Sequence, residues 1–162
     1  MVRIIGRGLI AAVIAIASLG MESQMLPNPY GPPVSVAAAK TAAAAALAEA
    51  VKNHWNMAVA VVDPNGTLIY YEKMDNTQNG SAQVAINKSR SAALYKRPTK
   101  ALQDALASGG AGLRVLGLEG AVPVEGGVPL ISQGKIIGAI GVSGDTSEHD
   151  GQCASAGAAT IK

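Results

Sequence analysis

Residues 36–53 read VAAAKTAAAAALAEAVKN, a stretch filled mostly by alanine, with Lys40, Glu49 and Lys52 marking where it meets water. Alanine has the highest helix propensity and a side chain of one methyl. The segment therefore predicts a helix, N-capped by Ser35, whose backbone can press close against a neighbouring layer. The same economy runs through the chain, which has no Phe, one Trp (Trp55) and 19 Gly. At roughly 25 cal/mol per Å² of apolar area, such a core must gather its stability from many small contacts. With 49% of residues hydrophobic and 15% charged, the composition is that of a packed domain rather than a disordered chain. A length of 162 residues allows one domain and a short extension. Thin packing of this kind also predicts homo-oligomerisation, which adds buried area.

Residues 1–24 stand apart from that domain. Arg3 and Arg7 precede the apolar run LIAAVIAIASL, and Ala15-Ile16-Ala17 and Ser18-Leu19-Gly20 both fit a small-x-small cleavage site. The run is shorter than the roughly 20 residues that span a bilayer. The reading is a signal peptide, with an uncleaved anchor as the alternative. Residues 25–33 (MLPNPYGPP) form a Pro-rich extended linker, and residues 34–162 the mature domain. This predicts a periplasmic or secreted protein with no stable membrane insertion once the leader is removed. Cys153 is the only cysteine, so no intramolecular disulfide is possible.

Two of the 13 Lys and Arg residues lie in the leader, which leaves the rest balanced by at most 11 Asp and Glu. A near-neutral domain is not a general nucleic-acid binder. The charge is nevertheless uneven: no acidic residue occurs from Asn76 to Gln103, where Lys88, Arg90, Lys96, Arg97 and Lys100 fall. An acid-free basic stretch is a docking place for an anionic ligand, or simply a solvated helix face.

Met57–Val62 (MAVAVV) is apolar on both alternating faces, which predicts a strand covered on both sides. Asp63-Pro64-Asn65-Gly66 is a turn, with Asp63 as a turn-former, and Thr67–Lys73 a second strand pairing back. A helix over Gly80–Tyr95 capped by Ser81, a stop at Pro98, and a short helix over Thr99–Ser108 follow. Ser108–Gly112 is a loop. Gly127–Ser132 and Lys135–Val142 make a second hairpin around Gln133-Gly134. Ser147 caps a last helix over Glu148–Ile161, in which Gly151 costs about 1 kcal/mol relative to Ala. Two hairpins with helices before, between and after them predict an α+β fold. Neither a phosphate-binding glycine loop nor a Gly-x-Ser-x-Gly elbow occurs.

The blocks AVAVVDPNGTLIYYEKMDN, KSRSAALYKRPTKAL, GGVPLISQGKIIGAIGVSG and DGQCASAGA, in this order, resemble the GlcG/HbpS haem-binding family, which includes the C-terminal domain of some corrinoid adenosyltransferases. The resemblance covers roughly Val34 to Ile161. It implies a profilin-like fold, with a five-stranded antiparallel sheet flanked by helices in three α/β/α layers, often in oligomers. It also implies haem or a related tetrapyrrole as ligand, and no settled enzymatic activity. The alternative is an accessory protein or enzyme acting on a small anionic metabolite such as glycolate.

Haem binding asks for a flat apolar slot, cations near the propionates and an optional axial ligand. Lys88, Arg97 and Lys100 are the propionate candidates, helped by the Thr99 hydroxyl and the free amides at a helix start. Met74 is a candidate to line the slot or to ligate iron weakly, and Tyr95, with Tyr70 and Tyr71, is an alternative ligand that reads first as a core or sheet-face residue. For metal ligation the weak candidates are His54, and His149 with Cys153, whose i, i+4 spacing puts them on one helix face. Cys153 reads more readily as a small buried hydrophobe than as a ligand.

Overall fold

A computed structural model describes residues 28–162; the leader assigned to residues 1–24 lies outside the described residues. Among the described residues no helix is long and apolar enough to cross a membrane.

The alanine-rich segment forms helix α1, Val36–Lys52, and the Ser35 hydroxyl accepts from the Ala38 amide at 3.2 Å. Strands β1 (Ala58–Val62) and β2 (Leu68–Lys73) form the first hairpin, and Asp63 Oδ1 ties its turn by accepting from the Asn65 and Thr67 amides. Helices α2 (Gly80–Leu94) and α3 (Thr99–Ala107) come next, then a 3-10 segment, Gly110–Gly117, where a plain loop was expected. Strands β3 (Gly127–Ser132) and β4 (Lys135–Ser143) close around Gln133 and Gly134, both at positive φ (49° and 72°) as a tight two-residue hairpin demands. Helix α4, Ser147–Ala158, ends the domain. Its cap is Thr146 rather than the expected Ser147: the Thr146 side chain accepts from the His149 amide at 3.3 Å. Ser81 does not cap α2 either. It sits inside the first turn, buried, with its hydroxyl unpartnered.

The sheet is antiparallel in the order β2-β1-β4-β3. It has four strands, not the five expected. The Pro-rich arm lies along the end of β4 left open beyond β1, where it makes a single parallel bridge, Tyr30 to Ile136. The Ile136 amide donates to Pro29 O, and the Gly31 amide to Ile136 O, both at 2.8 Å. Pro29, Pro32 and Pro33 have no amide hydrogen, so the ladder cannot extend into a fifth strand. Tyr30 also reaches α2, donating its hydroxyl to Ala93 O at 3.0 Å.

β1 is buried on both faces, as its sequence predicts. Val59 and Val61 face a core built with α1 and α4; Ala58, Ala60 and Val62 face α2. The result is three layers, α1/α4 on one side of the sheet and α2 on the other. The buried stripe of α1 is Ala39, Ala42, Ala43, Ala46, Leu47 and Ala50. Small side chains make the close approach possible: a Cβ on Gly157 of α4 would stand 2.6 Å from the Ala42 carbonyl oxygen.

Candidate functional site

Register brings one end of the sheet together. Ala58 at the start of β1 pairs with Lys73 at the end of β2 and Ser143 at the end of β4. The C-terminus of α1 delivers Trp55 to this end, the exit of β2 delivers Met74, and the β4–α4 turn delivers Asp145 and His149.

His149 is the most constrained polar side chain of the group. Its ring stacks on Trp55 with centroids 3.8 Å apart and planes 13° from parallel. Its Nδ1 lies 3.0 Å from Asp145 Oδ1, and its amide is held by the Thr146 cap. The side chain is still 37% exposed, and among the described residues Nε2 has no hydrogen-bond partner. A carboxylate behind Nδ1 fixes the tautomer and makes Nε2 a better donor. The Thr146 amide and then His149 hold the Asp145 carboxyl below its ordinary range.

Behind this turn sits a buried ion pair. Lys88 Nζ lies 2.6 Å from Asp150 Oδ2, with side-chain exposures of 1% and 3%. The other oxygen of Asp150 accepts from the Asp145 amide at 3.3 Å. Burial pushes the Asp150 carboxyl up, opposed by its bond to Lys88. The pair thus anchors the turn whose next link, Asp145, orients His149. Gly126 makes room for it: at φ 127°, a Cβ there would stand 2.8 Å from Lys88 Nζ.

The expected propionate cations are sorted differently from the sequence reading. Lys88 is not an open cation, because its ammonium is consumed inside the fold by Asp150. Thr99 is fully buried and its Oγ1 accepts from the Gly127 amide at 2.9 Å, pinning α3 to β3. Arg97 is exposed, with Nε donating to Tyr95 O at 3.0 Å. Lys100 is exposed and pairs with Asp104 at 2.8 Å. That bond to Asp104, with weaker help from the charges of Asp104, Glu125 and Glu148, raises the Lys100 ammonium above its ordinary value. Tyr95 donates to Glu119 O at 2.5 Å and serves as a loop anchor. The Met74 sulfur accepts from the Met57 amide at 3.4 Å, and Met74, like Trp55, packs half-buried against the α1/α4 core.

His149 and Cys153 do not share an open face. Cys153 points into the core, and burial pushes its thiol up to about 12, where it stays protonated and a poor ligand. His54 is exposed at φ 61°, just beyond α1. Among the described residues no group of three or more His, Cys, Asp and Glu could hold a metal ion. Sequence reasoning missed Trp55 and Asp145 as partners of His149. The i, i+4 spacing of Asp145 and His149 was the available signal for one; the stack on Trp55 joins segments far apart in the chain.

The family model described as haem degrading protein HbpS-like matches residues 34–159. The chain is similar to protein GlcG of Escherichia coli, 38% identical over 100 residues, which covers 62% of this chain and 73% of that protein. Among solved structures it is similar to a double mutant of Streptomyces reticuli HbpS, with TM-score 0.74 and 30% identity over 94% of this chain and 99% of that one. It is likewise similar to a structure titled as a PduOC:heme complex, with TM-score 0.72 and 26% identity, covering 80% of this chain and 96% of that one.

Proposed function

The chain belongs to the HbpS-like family, and on that premise we propose that it binds haem, or a closely related metallotetrapyrrole, at the α4 end of the sheet, with His149 Nε2 as the ligand to the metal. The observation that carries this reading is the held imidazole: stacked on Trp55, bonded to Asp145 through Nδ1, and open at Nε2. A bare structural ion takes about four protein ligands. A metal that arrives with four in-plane nitrogens needs one or two, and a single histidine is a common choice. The donor set therefore fits an axial position. Trp55 and Met74 supply apolar surface beside it, and Lys100, exposed and paired among the described residues only with the exposed Asp104, is the cation that could exchange that partner for a propionate. When bound, haem would supply a redox-active iron whose ligation is visible in its spectrum.

The solved haem complex of a similar protein supports the ligand class. The leader-like residues 1–24 support export, which gives the proposed role as haem handling in the periplasm or outside the cell. Exposed Leu94, Leu113 and Leu116 support self-association of this thinly packed domain.

Titration of the purified protein with hemin tests the proposal. Saturable binding with a shifted Soret band is expected, and His149→Ala should alter the bands and weaken binding at least tenfold. No saturable binding would overturn the haem assignment. A wild-type spectrum in His149→Ala would place the metal ligand elsewhere.

A further inference from the structure

A second concavity lies away from His149, between the C-terminal half of α2 and the loop after the 3-10 segment. It has a volume of about 390 Å³ and is lined by Asn87, Arg90, Leu94, Gly120, Ala121 and Val122. Its walls are tied in place. Tyr95 holds the loop through Glu119 O, the Val122 amide donates to Ser91 Oγ at 3.0 Å, and Gly120 takes φ 71° to turn the chain over the cleft.

The chemistry of the lining is one-sided. Arg90 Nε donates to Gly66 O at 3.0 Å, which fixes the plane of the guanidinium and leaves its terminal nitrogens as donors. Among the described residues no acidic side chain pairs with it. Asn87 accepts through Oδ1 from Gln83 at 2.9 Å, so its Nδ2 hydrogens are also left to donate. Leu94 stands one helical turn beyond Arg90 on α2, and Ala121 and Val122 face it from the loop. A single cation and an amide beside an apolar wall match a singly charged planar acceptor better than a dianion, which would need a second cation. The volume falls within the range of small-molecule sites, about 300–1,000 Å³.

We propose that this cleft binds a small monocarboxylate with a short apolar tail, its oxygens on Arg90 and Asn87 and its tail against Leu94, Ala121 and Val122. This site does not depend on the haem reading and is tested apart from it. Butyrate and its neutral isostere butyramide are titrated into the uniformly labelled protein and followed by amide chemical shifts. Saturable shifts centred on residues 87–94 and 120–122 are expected for butyrate, with at least tenfold weaker binding of butyramide. Arg90→Gln should weaken butyrate at least tenfold, and Ala121→Trp should abolish it by filling the cleft, with the remaining spectrum preserved in both. Equal binding of acid and amide, unaltered affinity in Arg90→Gln, or shifts centred elsewhere would each overturn the assignment. Hemin binding should be unchanged in both variants, so the two sites stand or fall separately.

Discussion

Lys88 and Asp150 form an ion pair of 2.6 Å between α2 and α4, across the end of the sheet and out of reach of water. Breaking such a pair on one side strands the other charge in the core, at about 3–5 kcal/mol, whereas replacing both partners with apolar side chains is often neutral. Lys88→Met and Asp150→Leu should therefore each destabilise strongly, and the double variant should recover most of the loss. Urea unfolding of the three variants measures this. Additive losses in the double variant would mean the two charges do not depend on each other.

The Asp150 carboxylate also holds the Asp145 amide, and Asp145 orients His149. Asp145→Asn keeps the shape but weakens the partner of Nδ1. Loss of an outer partner of a metal-bound histidine typically costs about 10–100-fold in affinity. Hemin affinity of Asp145→Asn should fall in that range while the far-UV spectrum of the fold is preserved. An affinity equal to wild type would show that the carboxylate does not tune the imidazole.

Gly126 holds φ 127°, and a Cβ there would stand 2.6 Å from Val142 O and 2.8 Å from Lys88 Nζ. Gly126→Ala should destabilise by more than about 1 kcal/mol, since both backbone conformation and space oppose the methyl. A thermal melt within a degree of wild type would contradict this.

Acid should destabilise the domain through Glu49 and Asp145. Gln152 and Asn53 hold the Glu49 carboxyl below its ordinary 4.5, and the Thr146 amide and His149 hold Asp145 below its ordinary 3.8. Both pKa values are lower in the folded state, so their contribution is complete above the ordinary values and fades as pH falls through the folded ones. Glu49→Gln should flatten the fall of the urea midpoint below about pH 4.5. An unaltered slope would remove Glu49 from the account.

Much of this architecture was legible in the chain. The alanine run, the Asp63–Gly66 turn and the Gln133-Gly134 turn are local signals, each set by residues a few positions apart, and the structure places helix and hairpins there. The strand count was not, because whether a Pro-rich arm adds a strand or a single bridge depends on which edge of β4 the rest of the fold leaves open. The candidate site divides in the same way. His149 and Lys100 are visible in sequence as an imidazole and a cation, but nothing local distinguishes Lys100, which stays exposed, from Lys88, which is buried.

By itself the sequence determined the α+β class, the position of the four α-helices and both hairpins, and a core of small side chains, since propensity, turn chemistry and hydrophobic period act over one or two turns of chain. Tertiary structure alone decided which charges remain open and which imidazole is held. Lys88 and Asp150 are 62 positions apart and Trp55 and His149 farther still, and only packing of α1, α2 and α4 on a common sheet brings such partners within contact.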